Sequence, residues 1–265
     1  MLLDFSYETL LRFSGPVADQ HFSLLCLPRE TERQSVLSTE IRVQPEAPVQ
    51  TDIDGFGNPM LYGLIRTPHD RFRLTVTGQV LTRPAPHEEF EDPEDPVLTR
   101  WRVPSGFTAP GPALRALRQQ WADGAPEDPY GKLLHYGNCV QAALRYEPGT
   151  TGVRTTAEEA VRLGTGVCQD YAHVLIALLR MEGIPARYVT GLMTGEGASH
   201  AWVEANCRGF WYGIDATNDL LVDEHYIKFA HGRDYADCMI SRGIFRNPNA
   251  LQQMDVTVSV TGQNG

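Results

Sequence analysis

Long apolar runs are missing from this 265-residue sequence: no stretch approaches the ~18 consecutive apolar residues that a membrane-spanning helix needs. An excess of basic residues is missing too. Lys and Arg number 23 against 33 Asp and Glu, a formal net charge of −10. Such a surface repels nucleic acid and anionic membrane, so neither is expected as a partner. Cysteine is sparse: Cys26, Cys139, Cys168, Cys207 and Cys238 are odd in number, scattered and never in C-x-x-C spacing. That argues against a disulfide framework or a zinc ribbon, and no metal is expected. No D-x-[DN]-x-[DN]-G run offers a calcium loop, and no cofactor is implied. The opening Met1-Leu2-Leu3-Asp4-Phe5 lacks the basic and long apolar regions of a secretory leader. With thiols read as reduced, a cytoplasmic setting is the expectation.

What is present reads as α+β. In the first eighty residues Phe72, Leu74 and Val76 alternate with Arg71, Arg73 and Thr75, and Phe22, Leu24 and Cys26 share a face. That two-residue period marks half-buried strands. Asp54-Gly55-Phe56-Gly57-Asn58 is a turn signal between such runs, and no helical stripe appears. Residues 1–82 are therefore expected to form an antiparallel β domain. Residues 83–111 read as an exposed linker, because Arg83 to Pro96 carries four prolines and the acids Glu88, Glu89, Glu91, Asp92, Glu94 and Asp95.

From 112 onward the period turns helical. Pro112 opens one helix, and Leu133, Tyr136, Val140 and Leu144 lie at helical spacing in another. Thr155-Thr156-Ala157-Glu158-Glu159 offers two overlapping capping boxes. Ala172, Leu175, Ile176 and Leu179 mark a buried helix stopped by Gly183 and Pro185. Then Arg187 to Met193, Ser199 to Asn206 and Phe210 to Ala216 read as consecutive strands, with one more at Val256, Val258 and Val260. Residues 112–265 are thus expected to be helices followed by an antiparallel sheet.

Three polar residues stand out. Gly164-Thr165-Gly166-Val167 delivers Cys168 to the start of the buried helix. Unpaired N–H groups and the positive end of the helix dipole stabilise a thiolate there, and the same N–H groups can receive an oxyanion. His200 follows a flexible polar turn at a strand start, and imidazole is the usual base for a thiol. Asp215 ends the next strand, where a carboxylate can hold the far nitrogen of the histidine. With a turn at Asn206-Cys207-Arg208-Gly209, His200 lies six residues before it and Asp215 six after it, so a hairpin sets them side by side. Nucleophile, base and orienter then arrive in the order a covalent acyl-transfer site needs. No second oxyanion donor is evident upstream of Cys168.

These stretches resemble the transglutaminase-like superfamily, whose core is shared with papain-type cysteine proteases. Gly166-Val167-Cys168-Gln169-Asp170-Tyr171-Ala172 is similar to its cysteine motif and Ser199-His200-Ala201-Trp202 to its histidine motif. Ile214-Asp215-Ala216-Thr217-Asn218 is similar to its D-P-T-N motif, with Ala216 in place of proline. Leu144 to Thr150, Gly232 to Asp237 and the β-rich start resemble the bacterial subgroup. The resemblance implies a helix-plus-antiparallel-sheet core and a Cys168–His200–Asp215 triad. It also implies cysteine-dependent transfer or hydrolysis at an amide of a protein or peptide. Calcium activation does not carry over, and the oligomeric state is left open. Two alternatives use the same residues: zinc held by Cys168, His173, His200 and Cys207, and an inactive fold kept as a binding or scaffold module.

Overall fold

The computed structural model describes residues 1–247 and 249–263. Strand β1 (Leu2–Leu24) is the spine of the first sheet. Leu3, Phe5, Tyr7, Thr9 and Leu11 point inward, and Asp4, Ser6, Glu8 and Leu10 face outward. That alternation is the strand period drawn directly from the order of side chains. Strands β2 (Gln34–Gln44), β3 (Val49–Ile53), β4 (Pro59–Ile65) and β5 (His69–Thr82) complete the antiparallel N-terminal array. Between β3 and β4, Asp54 Oδ1 accepts from the backbone N–H groups of Phe56 (2.8 Å) and Asn58 (2.9 Å), while Gly57 takes φ +78°. The side chain of Asn58 then clamps the backbone of His231: its Nδ2 donates to His231 O (2.8 Å) and its Oδ1 accepts from His231 N (2.9 Å). The predicted turn is therefore also a tie to the second sheet.

Residues 83–111 are more than the exposed linker read from their acids. Asp92, Glu94 and Asp95 are exposed, but Glu88 is buried and accepts from Lys228 Nζ at 2.8 Å. Glu88 N donates to Trp211 O (2.8 Å) and Glu91 N to Gly209 O (2.7 Å), so the segment straps across the second sheet. Its short helix α1 (Thr99–Arg102) seats the buried Trp101 against Trp211. A run of like charges signals solvent only while no opposite charge meets it. Here Lys228 and Arg187, distant in sequence, neutralise Glu88 together with Glu204.

The second unit follows. Helices α2 (Pro112–Ala122) and α3 (Pro129–Ala143) lead to β6 (Arg145–Tyr146), α4 (Ala157–Leu163), β7 (Thr165–Gly166) and α5 (Cys168–Met181). Of the two capping boxes, the one from Thr156 to Glu159 forms: Thr156 N donates to Glu159 Oε2 (2.8 Å) and Glu159 N to Thr156 Oγ1 (3.3 Å). Glu158 instead caps the neighbouring α2, accepting from Ala113 N (2.9 Å) and Leu114 N (3.0 Å). Strands β8 (Ala186–Met193), β9 (Gly195–Gly197), β10 (His200–Cys207), β11 (Phe210–Asp215), β12 (Leu220–Leu221) and β13 (Tyr226–Gly232) come next. All but β9 form a sheet in the order β12-β11-β10-β8-β13. Helix α5 lies on that sheet with Leu175, Ile176, Leu178 and Leu179 fully buried, and Leu133, Tyr136 and Val140 of α3 join the same core. Among the described residues no helix is long and apolar enough to cross a membrane.

The chain then returns to its beginning. Strand β14 (Ser241–Arg246) pairs with the end of β1, and β15 (Gln252–Gln263) runs antiparallel to β1 from Leu2 to Phe13. The C-terminal strand, grouped with the helical unit in the sequence reading, hydrogen-bonds within the N-terminal sheet. Its alternating Val256, Val258 and Val260 mark a strand without naming its partner. On its other side β15 pairs with β9, three residues before His200.

Candidate active site

Cys168 is the first residue of α5. The loop before it is held on both sides: β7 pairs in parallel with β6, and Glu147 N donates to Gly166 O (3.0 Å). Gly166 is required sterically, since a Cβ there would lie 2.6 Å from Asp170 Cβ. Asp170, in the third helical position, accepts from Val167 N (2.8 Å) and Thr151 Oγ1 (2.7 Å) and so fixes the entry into the helix. Burial pushes its carboxyl pKa up, against those two hydrogen bonds. Asp170 N and Tyr171 N turn back to Val167 O (2.8 and 3.2 Å). The N–H groups of Cys168 and Gln169 are left at the open helix start, next to the sulfur.

His200 and Asp215 meet through the β10–β11 hairpin. Its turn is Arg208-Gly209, both at positive φ (57° and 98°), flanked by the pair Cys207 and Phe210. Val203 pairs with Ile214, so Asp215 lies across from Trp202, two residues from the register expected. An even shift preserves the face. His200 reaches diagonally, and its Nε2 donates to Asp215 Oδ2 at 2.7 Å. The other ring nitrogen, Nδ1, is then the one free to serve Cys168.

Asp215 is fully buried and satisfied on both oxygens. Oδ1 accepts from the backbone N–H groups of Thr217 (3.0 Å) and Asn218 (3.3 Å), an Asx turn. Oδ2 accepts from His200, from Asn218 Nδ2 (2.7 Å) and from Tyr226 OH (3.0 Å). Burial pushes its pKa up, but the hydrogen bond and charge of His200, with Asn218 and Tyr226, hold it below the ordinary value. For His200, burial favours the neutral ring. Hydrogen bonds to Asp215 and Cys168, and their negative charges, outweigh it and raise the imidazole to about 10. Tyr226 is the residue that sequence reading missed. It sits on β13, two strands away from β10 across β8, and nothing in its neighbourhood along the chain marks it.

Cys168, His200 and Gln169 line a cavity of ≈ 190 Å³. From the second unit Tyr188 and Thr190 line it, and the N-terminal sheet contributes Tyr7, Met254 and Val256. No Lys, Arg, Asp or Glu is among its lining residues. Gln169 Nε2 is buried without a hydrogen-bond partner among the described residues.

The remaining thiols and histidines lie elsewhere. Burial pushes Cys26 and Cys207 up to about 12 and Cys238 upward too. His173 Nε2 accepts from Tyr235 N (3.1 Å), its ring stacks on Phe107, and burial lowers it to about 3. His173 is thus engaged with the backbone, and Cys207 sits at the far, turn end of β10 from His200. No cluster of three or more His, Cys, Asp or Glu able to hold a metal occurs among the described residues.

Residues 117–216 match the transglutaminase-like superfamily core, and residues 3–81 the bacterial transglutaminase-like N-terminal region. An uncharacterized protein of Mycobacterium leprae is 31% identical over 256 residues, covering 88% of this chain and 89% of that one. The chain belongs to the transglutaminase-like superfamily. An uncharacterized protein of Mycobacterium tuberculosis is 30% identical to this transglutaminase-like chain over 292 residues, covering 98% of it and 92% of the relative. A protein-glutamine gamma-glutamyltransferase of Pseudomonas aeruginosa is 30% identical over 134 residues, which is 45% of this chain and 20% of that protein. The crystal structure of a "putative cysteine protease" from Cytophaga hutchinsonii superposes with a TM-score of 0.80 at 24% identity, covering 100% of this chain and 93% of that one. That likeness establishes the shared fold.

Proposed function

We propose that this transglutaminase-like chain is a cysteine-dependent enzyme that transfers or hydrolyses acyl groups at amide bonds of a protein or peptide. The observation that carries the reading is His200, held by the buried Asp215 at 2.7 Å and sharing a cavity with Cys168. In this reading His200 Nδ1 takes the proton of the Cys168 thiol, and the thiolate sulfur attacks the carbonyl carbon. The carbonyl electron pair moves to oxygen, which faces the open N–H groups at the start of α5. Collapse of the tetrahedral adduct breaks the C–N bond, and His200 Nδ1 gives its proton to the departing amine. The thioester left on Cys168 is then cleaved by water or by a second amine, with His200 taking the proton of the attacking group. Asp215 keeps Nε2 protonated and stabilises the imidazolium.

Whether water or an amine wins is a property of the acceptor side. Activity-based labelling with a panel of peptide amides, with and without added primary amines, tests both outcomes. Cys168→Ala should abolish turnover in a protein that still folds, because the change is small and local. Turnover that survives this substitution ends the proposal.

A further inference from the structure

Beside the cavity at Cys168 lies a second hollow. Tyr235, Ser241 and Met254 line both the cavity and this neighbouring space of ≈ 200 Å³. The lining of that space is aromatic: Phe22 and Phe72, both buried, lie with ring centroids 5.0 Å apart, and Phe245 lines it as well. Its single charged lining residue is Arg242, exposed on β14. Asp237, the acid nearest to it in sequence, is engaged by Arg233 through two bonds of 2.8 and 3.0 Å. Among the described residues β14 pairs only with β1, so its other edge is open to an extended backbone.

We propose that this hollow is a second subsite of the same cleft. It takes the apolar or aromatic side chain of a peptide substrate, with a carboxylate of that peptide against Arg242. The inference rests on the acyl-transfer reading of the Cys168 site. Its chemistry follows from what the walls lack as much as from what they hold. Neither space is lined by an Asp or Glu, so nothing in the cleft repels a peptide carboxylate, and the guanidinium at the rim attracts it. The aromatic lining rewards burial of an apolar side chain next to it.

The carboxylate can belong to an acidic side chain or to the peptide's own C-terminus, and four otherwise identical phenylalanine-containing peptides separate the sources. One carries Glu with an amidated end, one a free C-terminus, one Gln and one Lys, both amidated. Two quantities are read for each: kcat/KM, and protection of Cys168 from iodoacetamide. The carboxylate peptides should exceed the Gln peptide by roughly tenfold and the Lys peptide by more in both readouts. In Arg242→Glu, a change on an exposed strand position, the order should invert towards the Lys peptide. Protection that follows this order without turnover upholds the subsite and overturns the acyl-transfer reading alone. Equal values for all four peptides, no protection by any of them, or a carboxylate preference that persists in Arg242→Glu overturns the subsite.

Discussion

Replacing Asp215 with Asn keeps the outline of the side chain and removes its charge. Five donors converge on the carboxylate, from Thr217 N, Asn218 N, His200 Nε2, Asn218 Nδ2 and Tyr226 OH. An amide has one acceptor oxygen, so whichever way it turns, its NH₂ confronts donors on the other side. Leaving such groups unpaired costs about 1–3 kcal/mol, and the melting temperature should fall. The larger effect falls on His200. Raising an imidazole from 6.5 to about 10 corresponds to about 5 kcal/mol in favour of its protonated form. The Asp215 hydrogen bond is the largest raising influence, followed by that of Cys168. Loss of Asp215 therefore removes the largest single support of the imidazolium. Loss of the correct tautomer adds to this, so turnover should fall by roughly 10²–10⁴. The pH dependence gives the sharper signature. A raised imidazole contributes stability fully below its ordinary value near 6.5 and loses it as pH rises through about 10. On the proposed mechanism, turnover of the parent protein should fall over that upper range as His200 loses the proton meant for the leaving amine. In Asp215→Asn the limb should move down towards neutrality. The assay is kcat against pH per folded molecule, with the folded fraction taken from a thermal melt. A lowered melting temperature with normal turnover and an unmoved limb would reduce Asp215 to its Asx turn and refute the reasoning.

Other expectations follow from the same geometry. Tyr226→Phe removes one donor to Asp215 Oδ2 while keeping the ring against Trp202, so kcat should drop about 3–10-fold with a nearly unchanged melt; no change in kcat would leave Tyr226 a packing residue. Brief iodoacetamide treatment followed by mass mapping should modify Cys168 first, because Cys26, Cys207 and Cys238 are buried with raised pKa values; earlier labelling at Cys139 or Cys238 would point to a different reactive thiol. Lys228→Met leaves Glu88 and Glu204 short of a buried cation, so denaturant unfolding should show a loss of about 3–5 kcal/mol. A loss below ~1 kcal/mol would mean that water reaches the network.

What the sequence discloses here is local. Alternation identified the strands, and helical spacing found the buried faces of α3 and α5, because each pattern repeats within a few residues. Cys168, His200 and Asp215 were legible because their flanking turns and the order of elements are written along the chain. The hairpin is legible in the chain, but its closing pair, Cys207 and Phe210, lies one residue later at each end than the Asn206 and Gly209 that the turn signal suggests. The parity of the strands absorbs that offset. Partners far apart in the chain stayed hidden. Glu88 looked solvated until Lys228 and Arg187 came to it, and Tyr226 gave no sign of Asp215. Strand β15 carried the right period for a sheet, while the choice of β1 as its neighbour is a long-range packing outcome. That choice also decides the site, since it brings Met254 and Val256 into the wall facing Cys168.

The central claim is that Cys168 carries the acyl group. Intact-mass measurement after rapid mixing with an activated peptide ester tests it most directly, since an ester makes acylation fast and lets the thioester accumulate. The account predicts one acyl mass per chain, mapped to Cys168, absent in Cys168→Ala and discharged faster when a primary amine is added or, for a hydrolase, at a rate set by water. An adduct on another residue, or ester cleavage with no Cys168-bound intermediate and undiminished rate in Cys168→Ala, would contradict it.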